Sequence, residues 1–510
     1  MSPDRPVRPS SPSGSGRPDR RYGHARSDRQ RRGRSGTDPG ASGAPSVDAA
    51  ALVAGRRIEL TVGDPAHGGT CVARFEGRVV FVRHALPGEQ VLAEVTSVRS
   101  KLAFADAVEI RVASPDRVTP PCPLAHPGGC GGCDLQHVAL PAQRKWKAGV
   151  VSGQLRRIAG LDVAVVVDPV PGDTGGLGWR TRVRYATGAD GRLGLRRHRS
   201  HDVVPVEVCA VAQPGLPAVT DLPWPGTASV EAVLSGTGEG LVVVEPGVRP
   251  RVHVPSGLGA DGVLTTDGAR LRGRTHLHEE AAGRTWRVTG SGFWQVHPGA
   301  ADTFAAAVLE MLDPQPGESA LDLYSGVGLF AGVIAERVGE LGRVTAVEGS
   351  ATAVADARRN LHDLPQVSLV VGRVEEALAD GSVTEHVDVV VLDPPRVGAG
   401  AEVVAAVVSR TPRAVVYVAC DPAALARDVG SFVAAGFELT AIRGFDAFPM
   451  THHVECVALL TPTAVVEGWA QPSGPARVKA VRSGRPRTPG RRTPVRHRGR
   501  GPRFVGRRTW

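Results

Sequence analysis

The sequence predicts an α/β chain: a Rossmann-like domain preceded by a small OB-like β-barrel and a β-rich central region, with disordered basic tails. Three observations predict it. From about residue 300 to 460, apolar strands alternate with amphipathic helices, the pattern of a doubly wound sheet. From about 56 to 113, short alternating strands follow one another between Gly and Pro turns, as in a small barrel. Both ends are rich in Arg, Gly, Pro and Ser and cannot bury enough apolar surface to fold. A chain of 510 residues exceeds one ordinary domain. The expected divisions are a tail at 1–50, the barrel at 51–113, a cysteine-cluster and β-rich region at 114–285, the Rossmann-like domain at 286–465 and a second tail at 466–510.

Residues 1–47 hold ten Arg against four Asp, and residues 471–510 hold thirteen Lys or Arg and no acid. The whole chain carries only +10, so the core between these ends is acidic. Basic arms attract polyphosphate through counterion release, with affinity but little sequence information; a solubilising tail is the plainer reading, and the arms alone do not separate the two. No apolar run approaches the roughly 18–20 residues of a membrane span, and the N-terminus lacks the apolar stretch of a secretory signal. Membrane and secreted classes are therefore set aside, and a cytoplasmic monomer is expected.

In the barrel region the strands are Arg57–Val62, Gly77–Val82, Gln90–Val95 and Phe104–Ile110, separated by Gly68-Gly69 and Leu86-Pro87-Gly88-Glu89. A helix rich in Arg and Lys is expected from Ala142 to Ile158, and β-rich, loop-rich structure from 165 to 285. Seven cysteines in a cytosolic chain point to metal or chemistry rather than disulfides. Cys122, Cys130 and Cys133 cluster, and Cys209 follows far downstream. Four thiols suit zinc or an iron–sulfur cluster, and spacing does not separate the two. Cys71 and Cys456 read as packing residues.

Ala320-Leu-Asp-Leu-Tyr324-Ser-Gly326-Val-Gly328-Leu-Phe-Ala331 reads as strand, glycine turn and helix. Glycines let backbone approach a ligand and leave helix-end N–H groups free to hold it. Glu348 ends the next strand, where a carboxylate can take ribose hydroxyls. The loop alone fits NAD as well as S-adenosylmethionine. Downstream, Val389-Val-Val-Leu-Asp393-Pro394-Pro395-Arg396 ends a buried strand on an acid and a rigid diproline exit. Open α/β sheets bind ligands at the carboxyl ends of their strands, so Asp393 should face the cofactor or target base. Asp-Pro-Pro turns favour methyl transfer to a nucleobase without naming the atom.

Val415-Val-Tyr-Val-Ala-Cys420 sets a cysteine at the same rim. Carbon 5 of uracil is a poor nucleophile until a thiolate adds at carbon 6; a base must then remove the C5 proton. Phe445 to Glu455 supplies that base, with Glu455 preferred and His453 second.

Together these motifs resemble the RNA 5-methyluridine methyltransferase family, over residues 56 to 462. They are Gly292-Phe293-Trp-Gln295-Val296, Asp322-Leu-Tyr324-Ser-Gly326-Val-Gly328, Asp393-Pro-Pro-Arg396, Cys420-Asp-Pro422 and His453-Val-Glu455. Phe81-Val82 and Pro87-Gly88-Glu89 resemble a TRAM domain, the OB-like barrel of some RNA-modifying enzymes. The resemblance implies a class I methyltransferase domain using S-adenosylmethionine, with Cys420 as nucleophile and Glu455 as general base. It implies cofactor contacts at Gln295, Tyr324, Gly326, Gly328, Glu348 and Asp393, and Phe293 stacking on a flipped-out uracil. It also implies a structural [4Fe–4S] cluster on Cys122, Cys130, Cys133 and Cys209, with zinc as the alternative. The implied substrate is 23S ribosomal RNA, with transfer RNA second. Three departures stand out: Ser325 where Cys is frequent, His297 where Asn is common, and Asp421 in place of Asn after the nucleophile. Two rival functions are a nucleobase N-methyltransferase and a non-catalytic RNA-binding factor.

Overall fold

The computed structural model describes residues 52–172, 175–248, 252–463 and 481–482. The two basic ends, expected to be disordered over 1–50 and 466–510, lie outside the described residues, apart from Val481–Arg482, which pairs with Leu161–Asp162.

Five strands close the barrel: β1 (Arg57–Ala66), β2 (Thr70–Phe75), β3 (Arg78–Arg83), β4 (Gln90–Val98) and β5 (Leu102–Val112), in the order β1-β2-β3-β5-β4. Pairing of β1 with β4 joins the ends, so no edge is left unpaired. The two-residue period sets Ile58, Leu60 and Val62 of β1 inside, with Val80, Val82, Ala93, Ala103 and Ala105 from the others. β2 is absent from the sequence expectation. Its Cys-Val-Ala run is continuously apolar, so the alternation that reveals a strand is blurred there. The Leu86–Glu89 turn is latched by Glu89, fully buried, which accepts from Leu86 N at 2.8 Å and from Arg117 Nε and Nη2 at 2.5 and 2.7 Å. The helix Leu140–Gln154 lays Ala142, Trp146 and Val150 on this barrel core.

The central region is a seven-stranded sheet running from Val203–Pro205 at one edge to Arg270–Gly273 at the other. Trp224, Tyr185 and Val242 fill one face. Beyond it the hairpin His276–Ala281 and Arg284–Thr289 sends Trp286, fully buried, into the core of the third unit.

That unit holds an eight-stranded sheet ordered Val367–Val371, Arg343–Glu348, Ser319–Leu323, Val389–Leu392, Ala414–Ala419, Glu455–Pro462, Phe437–Asp446 and Val167–Pro169. Its central strands are parallel and almost wholly apolar, as burial on both faces requires. The last strand comes from within the central range, so the sheet recruits chain from outside 286–465. Chain order reverses between Ser319–Leu323 and Val389–Leu392, and a doubly wound sheet opens its crevice at that point. Glu455–Pro462 alone runs antiparallel to its neighbour Ala414–Ala419 among these central strands. Its first residue therefore lies at the rim where the parallel strands end.

Candidate active site

Four chain segments leave the rim side by side. After Leu323 the backbone turns through Tyr324 at φ 65°, Gly326 at φ 57° and Gly328 at φ 94° before the helix Leu329–Val338 begins. Left-handed backbone is costly for a side chain, and Tyr324 adopts it at a turn the neighbouring strands fix. A Cβ on Gly328 would stand 2.7 Å from Leu361, so the third turn residue has no room for one. Asp322, fully buried beneath the loop, accepts from Ala331 N at 2.8 Å through Oδ2, while Oδ1 meets no protein donor. Burial pushes its carboxyl up to about 8, and the charges of Asp393 and Glu348 add to the rise. Glu348 bridges the next strand to the loop, accepting from Gly326 N at 2.9 Å and Ser350 N at 2.7 Å. Asp393 is tied by its backbone N–H to Leu323 O at 3.2 Å. A buried, half-satisfied carboxyl group, a glycine turn and two further acids gathered at one place fit an adenosyl group carrying hydroxyls and a positive charge.

The strand pair Ala414–Ala419 and Glu455–Pro462 fixes the second half. Their register pairs Val415 with Leu460 and Ala419 with Cys456. One further step places Cys420 opposite Glu455. Glu455 is 4% exposed, whereas Cys420 is half-buried. His453 is held neutral well below its ordinary range by burial, then by His452 and Arg396, whose guanidinium lies 3.2 Å from the ring nitrogens. An imidazole so depressed is a poor proton acceptor, which leaves Glu455 the better candidate.

Phe293 and Gln295 come from a loop the sequence marks without saying what holds it. Arg182 does. It donates to Gly292 O at 2.5 Å and to Gly290 O, and Thr181 N donates to Val296 O at 2.9 Å. Gln295 is buried and Phe293 half-buried. Two departures from the family pattern find partners here: His297 stacks on Trp179 at 5.9 Å, and Asp421 caps the helix Pro422–Ala434. Arg182, Asp322 and Lys147 are functional or bracing residues that the sequence reading did not assign. Lys147 is wholly buried and donates to Asp446 Oδ1 at 2.5 Å and Phe448 O at 2.9 Å, anchoring the loop that leads to Glu455. Asp322 lies inside the glycine motif and could have been read from it. No local pattern announces the other two.

Cys122, Cys130, Cys133 and Cys209 line one small apolar cavity together with Leu195. Burial raises Cys130, Cys133 and Cys209, Cys133 up to about 12, and the thiols raise one another further. Arg180, half-buried just ahead of the strand Arg182–Thr187, turns its charge toward Cys209 and Cys133. Among the described residues, no group of three or more His, Cys, Asp or Glu is arranged to hold a metal ion. No helix among them is long and apolar enough to cross a membrane.

The chain matches the TRAM domain over residues 53–108 and tRNA (uracil-5-)-methyltransferase over residues 283–463. A Streptomyces avermitilis protein described as an uncharacterized RNA methyltransferase is 50% identical over 430 residues, 80% of this chain and 99% of that one. The 23S rRNA (uracil(1939)-C(5))-methyltransferase RlmD of Shewanella amazonensis is 33% identical over 434 residues, 79% of this chain and 95% of that one. Among solved structures, Pyrococcus abyssi tRNA (uracil-54, C5)-methyltransferase in complex with S-adenosyl-L-homocysteine superposes with a TM-score of 0.60. It covers 79% of this chain and all of its own at 23% identity, a likeness of fold.

Proposed function

The chain belongs to the RNA (uracil-5-)-methyltransferase family, and from that premise we propose that it methylates carbon 5 of a uracil in 23S ribosomal RNA. S-adenosylmethionine supplies the methyl group, held by Gln295, Tyr324, Gly326, Gly328, Glu348 and Asp393. The observation that supports this reading is the antiparallel register of Ala419 with Cys456, which brings the adjoining residues Cys420 and Glu455 to one end of the sheet.

Phe293 stacks on the extruded base, a step needed because carbon 6 is attacked from the ring face. Cys420 Sγ bonds to C6, and the displaced electron pair enriches C5, which would take the methyl as the sulfonium S–CH3 bond breaks and S-adenosylhomocysteine leaves. Glu455 removes the remaining C5 proton. The C6–S bond then breaks and its electrons return to sulfur, restoring the aromatic ring and the thiolate. Transfer RNA is the second substrate class; the RlmD relative favours the ribosomal one.

Cys122, Cys130, Cys133 and Cys209, gathered around one apolar cavity, would hold the [4Fe–4S] cluster, with zinc as the alternative. The adjacent Arg180 would offset its negative charge. The cluster would pin the 122–133 segment to Cys209 and steady the adjoining Asp134, the partner of His452.

Replacing Cys420 by Ala should abolish 5-methyluridine formation, and Glu455→Gln should trap methylated RNA on Cys420 as a slow band in a denaturing gel. Methylation by the Cys420→Ala protein would instead favour the N-methyltransferase reading. Mapping the lost 5-methyluridine by mass spectrometry in cells without the protein identifies the RNA.

A further inference from the structure

The barrel reaches the nucleophile. The turn between β1 and β2 carries His67, whose Nε2 lies 3.2 Å from Oδ2 of Asp421, the residue following Cys420. The other oxygen, Oδ1, accepts from Ala423 N at 3.0 Å and Ala424 N at 2.9 Å, capping the helix Pro422–Ala434. Burial works against ionisation of Asp421, yet the His67 contact and the two amides hold it down at about 2. It is a carboxylate at neutral pH.

A helix N-terminus normally favours a thiolate beside it, through its unpaired amides and dipole. Here Asp421 takes up those amides and sets a full negative charge one residue from the Cys420 thiol. A neighbouring anion disfavours the thiolate that attack on C6 needs. We propose that His67 compensates this charge, so that the barrel controls how readily Cys420 ionises. The inference rests on Cys420 being the nucleophile.

Other charged groups crowd the same corner. His452 lies with its ring 6.3 Å from His67, and its Nδ1 is 2.5 Å from Asp134 Oδ2, itself 3.6 Å from Arg83. His452 is therefore engaged by an acid of its own. His453 is neutral and turned to Arg396, and Glu455 stands across from Cys420. His67, about two-fifths exposed, is the side chain in direct contact with Oδ2 of Asp421. Exposure limits the strength of the pair, so its effect should be modest and sensitive to salt.

The test is a double-mutant cycle in the full-length protein, reading single-turnover methyl transfer to RNA across pH 6 to 9. His67→Gln should slow transfer about three- to tenfold near pH 7 and move the rising limb to higher pH. Asp421→Asn keeps a capping oxygen and removes the charge, so its limb should move to lower pH. The double variant should behave like Asp421→Asn alone. A His67→Gln defect that persists undiminished beside Asp421→Asn, or one without a shift in the limb, overturns the proposal. Alkylation of Cys420 by iodoacetamide without RNA, followed by mass spectrometry, should show the same order and does not depend on turnover. Cys420→Ala is measured in parallel: activity there sinks the nucleophile reading, whereas an inactive Cys420→Ala with an additive cycle sinks only the role of His67.

Discussion

From Ser319 to Ala331 one continuous stretch supplies the strand, the turn, the buried acid and the helix start of the cofactor loop. The corner holding Cys420 and Glu455 is closed instead by side chains from distant parts of the chain. His67 comes from the barrel, Lys147 from the helix that follows the cysteine cluster, and Arg182 from the central sheet. A loop built locally keeps its shape through backbone geometry. A corner built from afar depends on whether three units stay docked. Damage to the first should weaken cofactor binding and little else, while damage to the second should cost stability and turnover together.

Removing Lys147 should break that comparison most visibly. Lys147→Met leaves Asp446 buried without its cation and should cost about 3–5 kcal/mol in denaturant unfolding. Adding Asp446→Leu should recover most of that stability, because two apolar side chains need no mutual compensation. If the single variant is as stable as the parent, the pair is not the anchor described.

Gly328→Ala touches the other half. Its φ of 94° and the 2.7 Å approach to Leu361 should cost about 1–3 kcal/mol locally, read as a tenfold or greater loss of S-adenosylmethionine affinity by calorimetry. The Cys420 alkylation rate should stay within about twofold of the parent, on the ground that distant sites are nearly additive. A matching fall in both would show the halves are coupled.

The smallest effect is a pH slope. Asp322 is pushed up to about 8 by burial, against about 3.9 in the unfolded chain. Between those values the unfolded chain has released the proton and the folded one keeps it. Stability of the cofactor-free protein should therefore fall as pH rises from about 4 to about 8, by at most about 1.4 kcal/mol per pH unit. Asp322→Asn should flatten that part of the curve. An unchanged slope would mean another buried group sets it, Glu279 being the next, raised to about 7 chiefly by burial.

Much of the site was legible because strand ends in a parallel sheet share one rim. Asp393, Cys420 and the glycine loop each follow an apolar run, and period and burial place such runs in one layer. Glu455 was picked out by the chemistry's need for a base and by the family motif, while nothing local says that its strand runs antiparallel. β2 of the barrel was hidden by an unbroken apolar run, and the strand Val167–Pro169 is too short to carry a pattern. His67 and Arg182 gave no sequence signal, because a single His or Arg in a turn or strand has the same local look whatever it touches.

By itself the sequence determined the succession of apolar strands and the glycine turn, and marked a strand-end cysteine and an acid as candidates, since each depends on residue type and short-range periodicity. Tertiary structure alone decided which charges stand beside that sulfur, what holds the Phe293 loop and how the barrel meets the rim. Those depend on the docking of units that the chain separates by up to about 350 residues, and long-range packing leaves no periodic trace in the sequence.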